Sequence, residues 1–485
     1  MLHLTMTTTI LGVLLASYVA VVMMLLISDD REPALTVAWL FVLFFLPVLG
    51  VFLFIFFGRD WKVIARRKGW VQALRAARLE GMRPIYRRNA AAVGRMRTEW
   101  AGTIAEKVER AISAEEVSQV LPASSLTLFV TGADKFAALK RDLAGARRFI
   151  HLQYFIWEMD ELTAEITGIL LERLAAGVEV RILNDWIGSF NYPKDELNRL
   201  AKAGAHVRAD LADILRINYR NHRKIVVIDG ETGYTGGMNV GQEYIDGGER
   251  FASWRDTHVR LTGQAVAALE QLFAARWFEH GRGRENLFAE RYMPAADPGA
   301  AATGTLVEVA AQGVEDPWDS ARRAHMIAIA QAERTVYVQS PYFVPDYGIY
   351  DQLINAALSG VDVRLMMTGV ADRRLPLWAA QTYYRGLLEA GGRIYQYTAG
   401  FFHPKTMVVD GTLSAVGTMN MDNRSLKLHK ELMLWVYDAG FSRQVQESFL
   451  ADLEHCREVT LGDVEAVGRL RHFRNQAARL LSNVL

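Results

Sequence analysis

Cysteine is all but missing: Cys456 stands alone among 485 residues, which excludes an intrachain disulfide framework and fits a reducing compartment. A lone thiol of this kind reads as a small hydrophobe. Net charge is nearly missing too, at +1, so the total points to no particular partner. Charge vanishes altogether from "TTTILGVLLASYVAVVMMLLI" (7–27) and "ALTVAWLFVLFFLPVLGVFLFIFF" (34–57). Each run is long enough to cross the roughly 30 Å hydrocarbon layer as a helix. The N-terminus lacks the positive flank of a cleaved leader and a second apolar run follows at once, so the pair predicts two membrane spans.

The connector "SDDREP" is acidic on balance, whereas "GRDWKVIARRKGW" opens a basic run. The positive-inside rule then puts both ends of the pair, and the body that follows, in the cytoplasm. From Arg59 to Arg97 there are twelve Lys or Arg against Asp60 and Glu80. Such a segment either holds the body on anionic lipid, at about 1 kcal/mol for each basic residue near the surface, or is a solvated face that fixes topology. Next to two membrane spans, phosphate headgroups are a nearer partner for it than nucleic acid, which is not expected as a ligand.

Half of the residues are apolar, enough to bury more than one core, and the body is visibly doubled. "ARRFIHLQYFIWEMDELTAEITGILLERLAAGVEVRIL" (146–183) parallels "AERTVYVQSPYFVPDYGIYDQLINAALSGVDVRLMM" (332–367). Each reads as strand, helix, strand, with Gly177 and Gly360 closing the helices. Further on, "NHRKIVVIDGETGYTGGMN" (221–239) and "FHPKTMVVDGTLSAVGTMN" (402–420) share the pattern H-x-K-x4-D-x6-G-[GT]-x-N. One H-x-K-x4-D is a weak match; two, each behind the same strand-helix-strand unit, are specific.

Alternation along an extended chain puts His222 and Lys224 on one face, with Arg223 turned away, and does the same for His403 and Lys405. Asp229-Gly230 and Asp410-Gly411 are turn signals, so each motif predicts a hairpin. Centring the turns at Gly230-Glu231 and Gly411-Thr412 would set Asn239 opposite His222 and Asn420 opposite His403. Asp229 and Asp410 then fall at the turns as supports of the hairpins. Two imidazoles, two ammonium groups and two amides meeting across a pseudo-twofold interface suit a phosphodiester, whose transition state spreads negative charge over its oxygens. One histidine can attack phosphorus while the other protonates the departing alkoxide, with no cofactor or metal required.

The two motifs resemble those of the phospholipase D superfamily, over roughly residues 120 to 450. With the apolar pair, the basic segment, "WRDTHVRLTG" (254–263), "QSPYFVPD" (339–346) and "MNMDNRSLKLHKE" (419–431), the chain is similar to the bacterial cardiolipin synthase branch. The resemblance implies an α/β fold of two fused lobes, each a mixed sheet flanked by helices, with one active site between them. The expected organisation is a transmembrane hairpin (1–58), a basic membrane-proximal helical linker (59–118), a first lobe (119–295) and a second lobe with an amphipathic tail (296–485). It also implies a multi-pass protein of the bacterial inner membrane that transfers a phosphatidyl group between two phosphatidylglycerol molecules.

By resemblance, His222 is the nucleophile and His403 the acid, roles that pseudo-symmetry leaves interchangeable. Lys224, Lys405, Asn239 and Asn420 would hold the phosphoryl oxygens. Asp256 and Glu431 are similar to the carboxylates that orient the imidazoles; the alternative for these two acids is a surface ion pair. Many relatives carry Ser after the motif glycine, where this chain has Gly237 and Thr418. A water-using phospholipase D, a phosphatidylserine synthase and a non-catalytic membrane scaffold are the rival readings. Tyr154, Phe155, Trp157, Tyr342 and Phe343 either pack the core or line a lipid path. The tail "RLRHFRNQAARLLSNVL" (469–485) either lies on the membrane or docks on the body.

Overall fold

The computed structural model describes residues 12–13, 17–20, 22–24, 33–58, 69–114, 117–186, 188–189, 194–210, 218–281, 285–295, 304–313 and 316–482. The chain divides into a small unit, Met1–Ile64 with Ala212–Asn218, and a large one, Ala65–Leu211 with Tyr219–Leu485.

In the small unit the 34–57 run forms three consecutive helical stretches, Pro33–Phe45, Pro47–Leu53 and Phe54–Gly58. Pro47 supplies no N–H and forces Leu46 out of helical geometry (φ −128°, ψ 64°), which breaks the run. No helix among the described residues is therefore long and apolar enough to cross a membrane. Most of the 7–27 run lies outside the described residues. Phe41, Phe44, Phe45 and Val48 are exposed.

The large unit is built around two large sheets, beside two small two-stranded ones, among the described residues. The seven-stranded sheet runs, in spatial order, Ser125–Phe129, His258–Thr262, Thr232–Gly236, Ile225–Ile228, Phe149–Tyr154, Glu179–Asp185 and His206–Asp210. The nine-stranded sheet runs Leu121–Ala123, Thr305–Gln312, Glu431–Val436, Leu413–Gly417, Thr406–Val409, Thr335–Gln339, Asp362–Thr368, Arg393–Tyr397 and Cys456–Val459. Both are mixed. Phe149–Tyr154 pairs in parallel with Glu179–Asp185 through the helix Glu161–Ala175, and antiparallel with Ile225–Ile228. Thr335–Gln339 does the same with Asp362–Thr368 and Thr406–Val409. The strand Leu121–Ala123 lies inside the 119–295 segment yet pairs with Thr305–Gln312, so the first lobe lends the second sheet its edge.

Alternation explains the layering. Ile225 and Val227 enter one core while Val226 and Ile228 enter another, so the strand is covered on both faces. In the second sheet Val408 joins that first core, and Met407 and Val409 enter a third. The first core also takes Leu272 and Phe273 from the helix Val266–Gly281, and Phe441 and Val445 from Ala439–Asp452. Both sheets thus share a central helical layer, and each is covered outside by its own helices. Burying one such branched side chain is worth about 1.5–3 kcal/mol.

The described part of the basic segment forms the helix Gly69–Glu99, whose buried positions Val71, Leu74, Arg78, Met82, Ile85 and Asn89 recur at helical spacing. Arg78 is buried and donates to Gln271, while Arg75, Arg83, Arg87 and Arg88 face solvent. The segment is thus partly a packing element and partly a cationic face.

The hairpin register differs from expectation by one residue. Ile225 faces Thr235 and Thr406 faces Val416, so His222 and Asn239 are not opposite one another. Asp229 (φ 55°) and Gly230 (φ 69°) form a tight turn closed by Glu231 N–H donating to Ile228 C=O, and Glu231 is left as an extra residue. Asp410, Gly411 and Thr412 repeat this.

Candidate active site

Asp229 and Asp410 sit at these turns and serve neighbouring strands. The Asp229 carboxylate accepts the amides of Arg147, Arg148 and Phe149, and Asp410 those of Glu333, Arg334 and Thr335. Each clamps the start of the first strand of its own half, at the end of the hairpin remote from the histidine.

At the other end, His222 and His403 precede their strands and are fixed by the opposite lobe. The His222 amide donates to the Lys430 carbonyl (3.0 Å) and the His403 amide to the Arg255 carbonyl (2.8 Å). The residue after each of those carbonyls is a buried carboxylate. His222 Nδ1–H donates to Glu431 (3.0 and 3.1 Å to its two oxygens), and His403 Nδ1–H donates to Asp256 Oδ2 (2.7 Å). Each imidazole is thus oriented by the carboxylate of the other half, leaving Nε2 as its free nitrogen.

Arg223 turns away from His222 and donates to the carbonyls of Glu431 (3.1 Å) and Gln312 (2.7 Å), tying the motif into the second sheet. In the opposite sense Arg255 donates to Asp452 (2.9 Å), which also accepts from Gln339. Their roles were not legible from the motif, because both act on the partner half. Alternation alone gave the one signal, that Arg223 points away.

Lys224 and Lys405 are buried and donate to the carbonyls of His222 and His403. Burial depresses the Lys405 ammonium to about 8 and holds Lys224 well below the usual lysine range. Burial, and then the adjacent Lys405 charge, pushes His403 down to about 4. His222 is held well below its usual value by burial, then by Lys224, Lys405 and His403. Charges of both halves act on His222, so the two motifs share one electrostatic field.

Asn239 and Asn420 do not join the imidazoles through hydrogen bonds. Asn239 accepts from the Ile156 amide and donates to the Tyr244 hydroxyl, while the side-chain carbonyl oxygen of Asn420 is buried with no hydrogen-bond partner among the described residues. Among the aromatics, Tyr154, Trp157 and Phe343 pack the core. Phe155 meets the His222 ring edge-on at 4.8 Å, with the Lys224 ammonium 5.3 Å from its centre. Tyr342 donates to Asp372.

One pair of equivalent positions sets different rings beside the two imidazoles. Trp254, two residues before Asp256, lies 5.8 Å from the His403 ring, whereas His429, two before Glu431, lies 5.8 Å from the His222 ring. His222, His429 and Glu431 also form a trio whose ligand atoms lie within 4.8 Å of one another, the only group of potential metal ligands among the described residues. In it the His222 to Glu431 hydrogen bond already joins two of the three.

The Gly237 and Thr418 difference has a geometric basis. The Thr418 hydroxyl donates to Glu431 Oε2, while a Cβ at Gly237 would lie 2.1 Å from Asp256 Oδ1. Asp256, shorter by one methylene, comes too close for a side chain there, and its Oδ1 accepts the Thr257 amide instead (2.7 Å). Gly237→Ser is therefore expected to displace Asp256, destabilising the fold by about 1–3 kcal/mol and reducing turnover. A thermal melt and an activity assay check this; wild-type values in both would contradict it.

The pKa shifts also predict acid sensitivity. His325, His403 and His429 all lie at about 4, each chiefly through burial, against about 6.5 in an unfolded chain. The unfolded state then binds more protons between these values, so stability is full above about pH 6.5 and falls as pH drops toward 4, by up to roughly 3 kcal/mol per histidine. Denaturation midpoints across this range should fall with pH, and His325→Gln should flatten the slope. An unchanged slope in that variant would contradict the assignment.

Comparison with known proteins shows the family. The family model described as "Cardiolipin synthase, PLD-like domain" matches residues 139–277 and 326–453, and "Phospholipase_D-nuclease N-terminal" matches 14–59. The chain is 33% identical to cardiolipin synthase 2 of Staphylococcus epidermidis, covering 95% of each chain. It is 33% identical to the major cardiolipin synthase ClsA of Bacillus subtilis, covering 98% of each. A crystal structure of phosphatidylserine synthase from Haemophilus influenzae superposes with a TM-score of 0.58 at 14% identity, over 78% of this chain and all of that one, which shows a common fold.

Proposed function

The chain belongs to the cardiolipin synthase family of phospholipase D-type phosphatidyltransferases, and from that premise we propose that its paired histidines move a phosphatidyl group between two phosphatidylglycerol molecules through a phosphohistidine. The observation that carries this is the crossed pairing of His222 with Glu431 and of His403 with Asp256. Nε2 of His222 attacks phosphorus and the bond to the headgroup glycerol breaks, with Nε2–H of His403 giving that glycerol oxygen its proton. His403, now neutral, takes the proton from the glycerol hydroxyl of a second phosphatidylglycerol. That oxygen attacks phosphorus and the bond to His222 breaks, so cardiolipin and glycerol are formed and both imidazoles return to their starting state.

Both histidines are depressed in the free protein, so the acid must gain its proton when substrate binds. An entering phosphodiester brings one negative charge beside His403 and Lys405, which favours the imidazolium. Glu431 and Asp256 stabilise whichever imidazole is cationic. Lys224 and Lys405 exchange their backbone carbonyl partners for phosphoryl oxygens. The remaining parts of the reading are a multi-pass attachment to the bacterial inner membrane through the N-terminal 1–58 segment, and a catalytic body on the cytoplasmic side. Its support is the uncharged composition of the two runs and the exposed apolar residues of 33–58.

The test is a product assay on the full chain in vesicles of headgroup-labelled phosphatidylglycerol. Glycerol released in step with cardiolipin is the expected result. Phosphatidic acid as sole lipid product would replace the transferase with a hydrolase, and no turnover would favour a scaffold.

A further inference from the structure

The C-terminal helix Arg469–Arg479 is docked inside out. The side that meets the body carries only one small apolar residue, Ala478, which joins the second sheet's outer core, and is otherwise polar: Asn475 is buried and donates to Gln381 (2.7 Å), the Arg474 guanidinium lies 4.4 Å from the Trp378 ring centre, and that of Arg479 lies 4.8 Å from the Tyr383 ring centre. Its apolar side faces outward, with Leu470 83% and Phe473 72% exposed, and the turn that continues it adds Leu480 at 85% and Leu481 at 47%. Positions 470, 473, 480 and 481 fall within one 100°-wide stripe at helical spacing. A helix stabilised only by docking on the body would present that stripe inward and its arginines outward. The helix carries four arginines, Arg469, Arg471, Arg474 and Arg479, and no acidic residue.

We propose that this outward stripe is a membrane-contacting surface, seated among the acyl chains of an anionic bilayer with the exposed Arg469 and Arg471 at headgroup level. The occupant follows from charge complementarity: apolar side chains flanked by cations alone match a lipid interface with anionic headgroups. The proposal rests on the reading that the chain works on membrane phospholipid, and adds a second contact, apart from the N-terminal segment, that would hold the catalytic body at the interface.

The experiment places an environment-sensitive fluorophore on Phe473→Cys, in a Cys456→Ser background, in the full chain reconstituted in phosphatidylcholine vesicles with and without phosphatidylglycerol. With the anionic lipid, emission should shift to the blue, be quenched by doxyl-labelled lipid and be insensitive to iodide in the buffer. The same label on Leu480→Cys should behave alike, which guards against misfolding of either variant. Iodide quenching at both positions would overturn the proposal. So would shielding from iodide without lipid quenching, which marks contact with a second copy. Turnover measured on the same samples separates the two readings: full activity with an iodide-accessible label removes this contact and leaves the transfer chemistry standing.

Discussion

His222→Ala is expected to lower phosphatidyl transfer by about 10⁴-fold or more, because the variant loses the only atom at that position that can bond to phosphorus. His403→Ala should lower it comparably, through loss of the proton donor and acceptor for both half-reactions. The two side chains serve one sequence of bond changes, so the double variant should be scarcely worse than either single one. Both residues are buried, yet each reaches the site from a backbone held by the other lobe, so the fold and membrane attachment should survive. Turnover of labelled phosphatidylglycerol, with melting temperature as a control, checks this. Transfer within about tenfold of wild type in either variant would remove that histidine from the chemistry.

The second large effect concerns the crossed carboxylates. Glu431→Gln keeps the size of the side chain but no longer stabilises the imidazolium of His222, 209 residues away, and it permits the wrong ring tautomer. Asp256→Asn does the same to His403. Each should reduce turnover by about 10²- to 10⁴-fold with little change in apparent substrate affinity. The pattern of coupling is more telling than the size. Glu431→Gln should add almost nothing to His222→Ala, and Asp256→Asn almost nothing to His403→Ala. Coupling of Asp256 with His222 instead, within one half, would contradict the crossed arrangement.

Much of the fold can be read from the repeat. Strand-helix-strand units, Asp-Gly turns and alternation in "KIVVID" have local causes, whereas the mixed sheets are what the family resemblance implies. What eluded the sequence is what depends on contacts between halves. The tight turns close at Asp229-Gly230 and Asp410-Gly411, one residue earlier than expected, and Glu231 and Thr412 are left over between turn and strand, which shifts each hairpin by one. Asn239 looks available for phosphate only until Ile156 and Tyr244 are brought to it by other elements. Gly237 looks like a lost hydroxyl until the shorter Asp256 is seen to occupy the same space. The tail's periodicity was legible, but which side would dock was not, since Asn475 and Gln381 meet only in the folded chain.

The most direct test of the two-step chemistry is the stereochemical course at phosphorus, followed with phosphatidylglycerol made chiral by oxygen isotopes. Two successive in-line displacements, first by His222 and then by the acceptor hydroxyl, predict net retention of configuration in the cardiolipin formed. Net inversion would mean that the acceptor attacks directly, with no covalent histidine intermediate, and would contradict the division of labour between the two motifs.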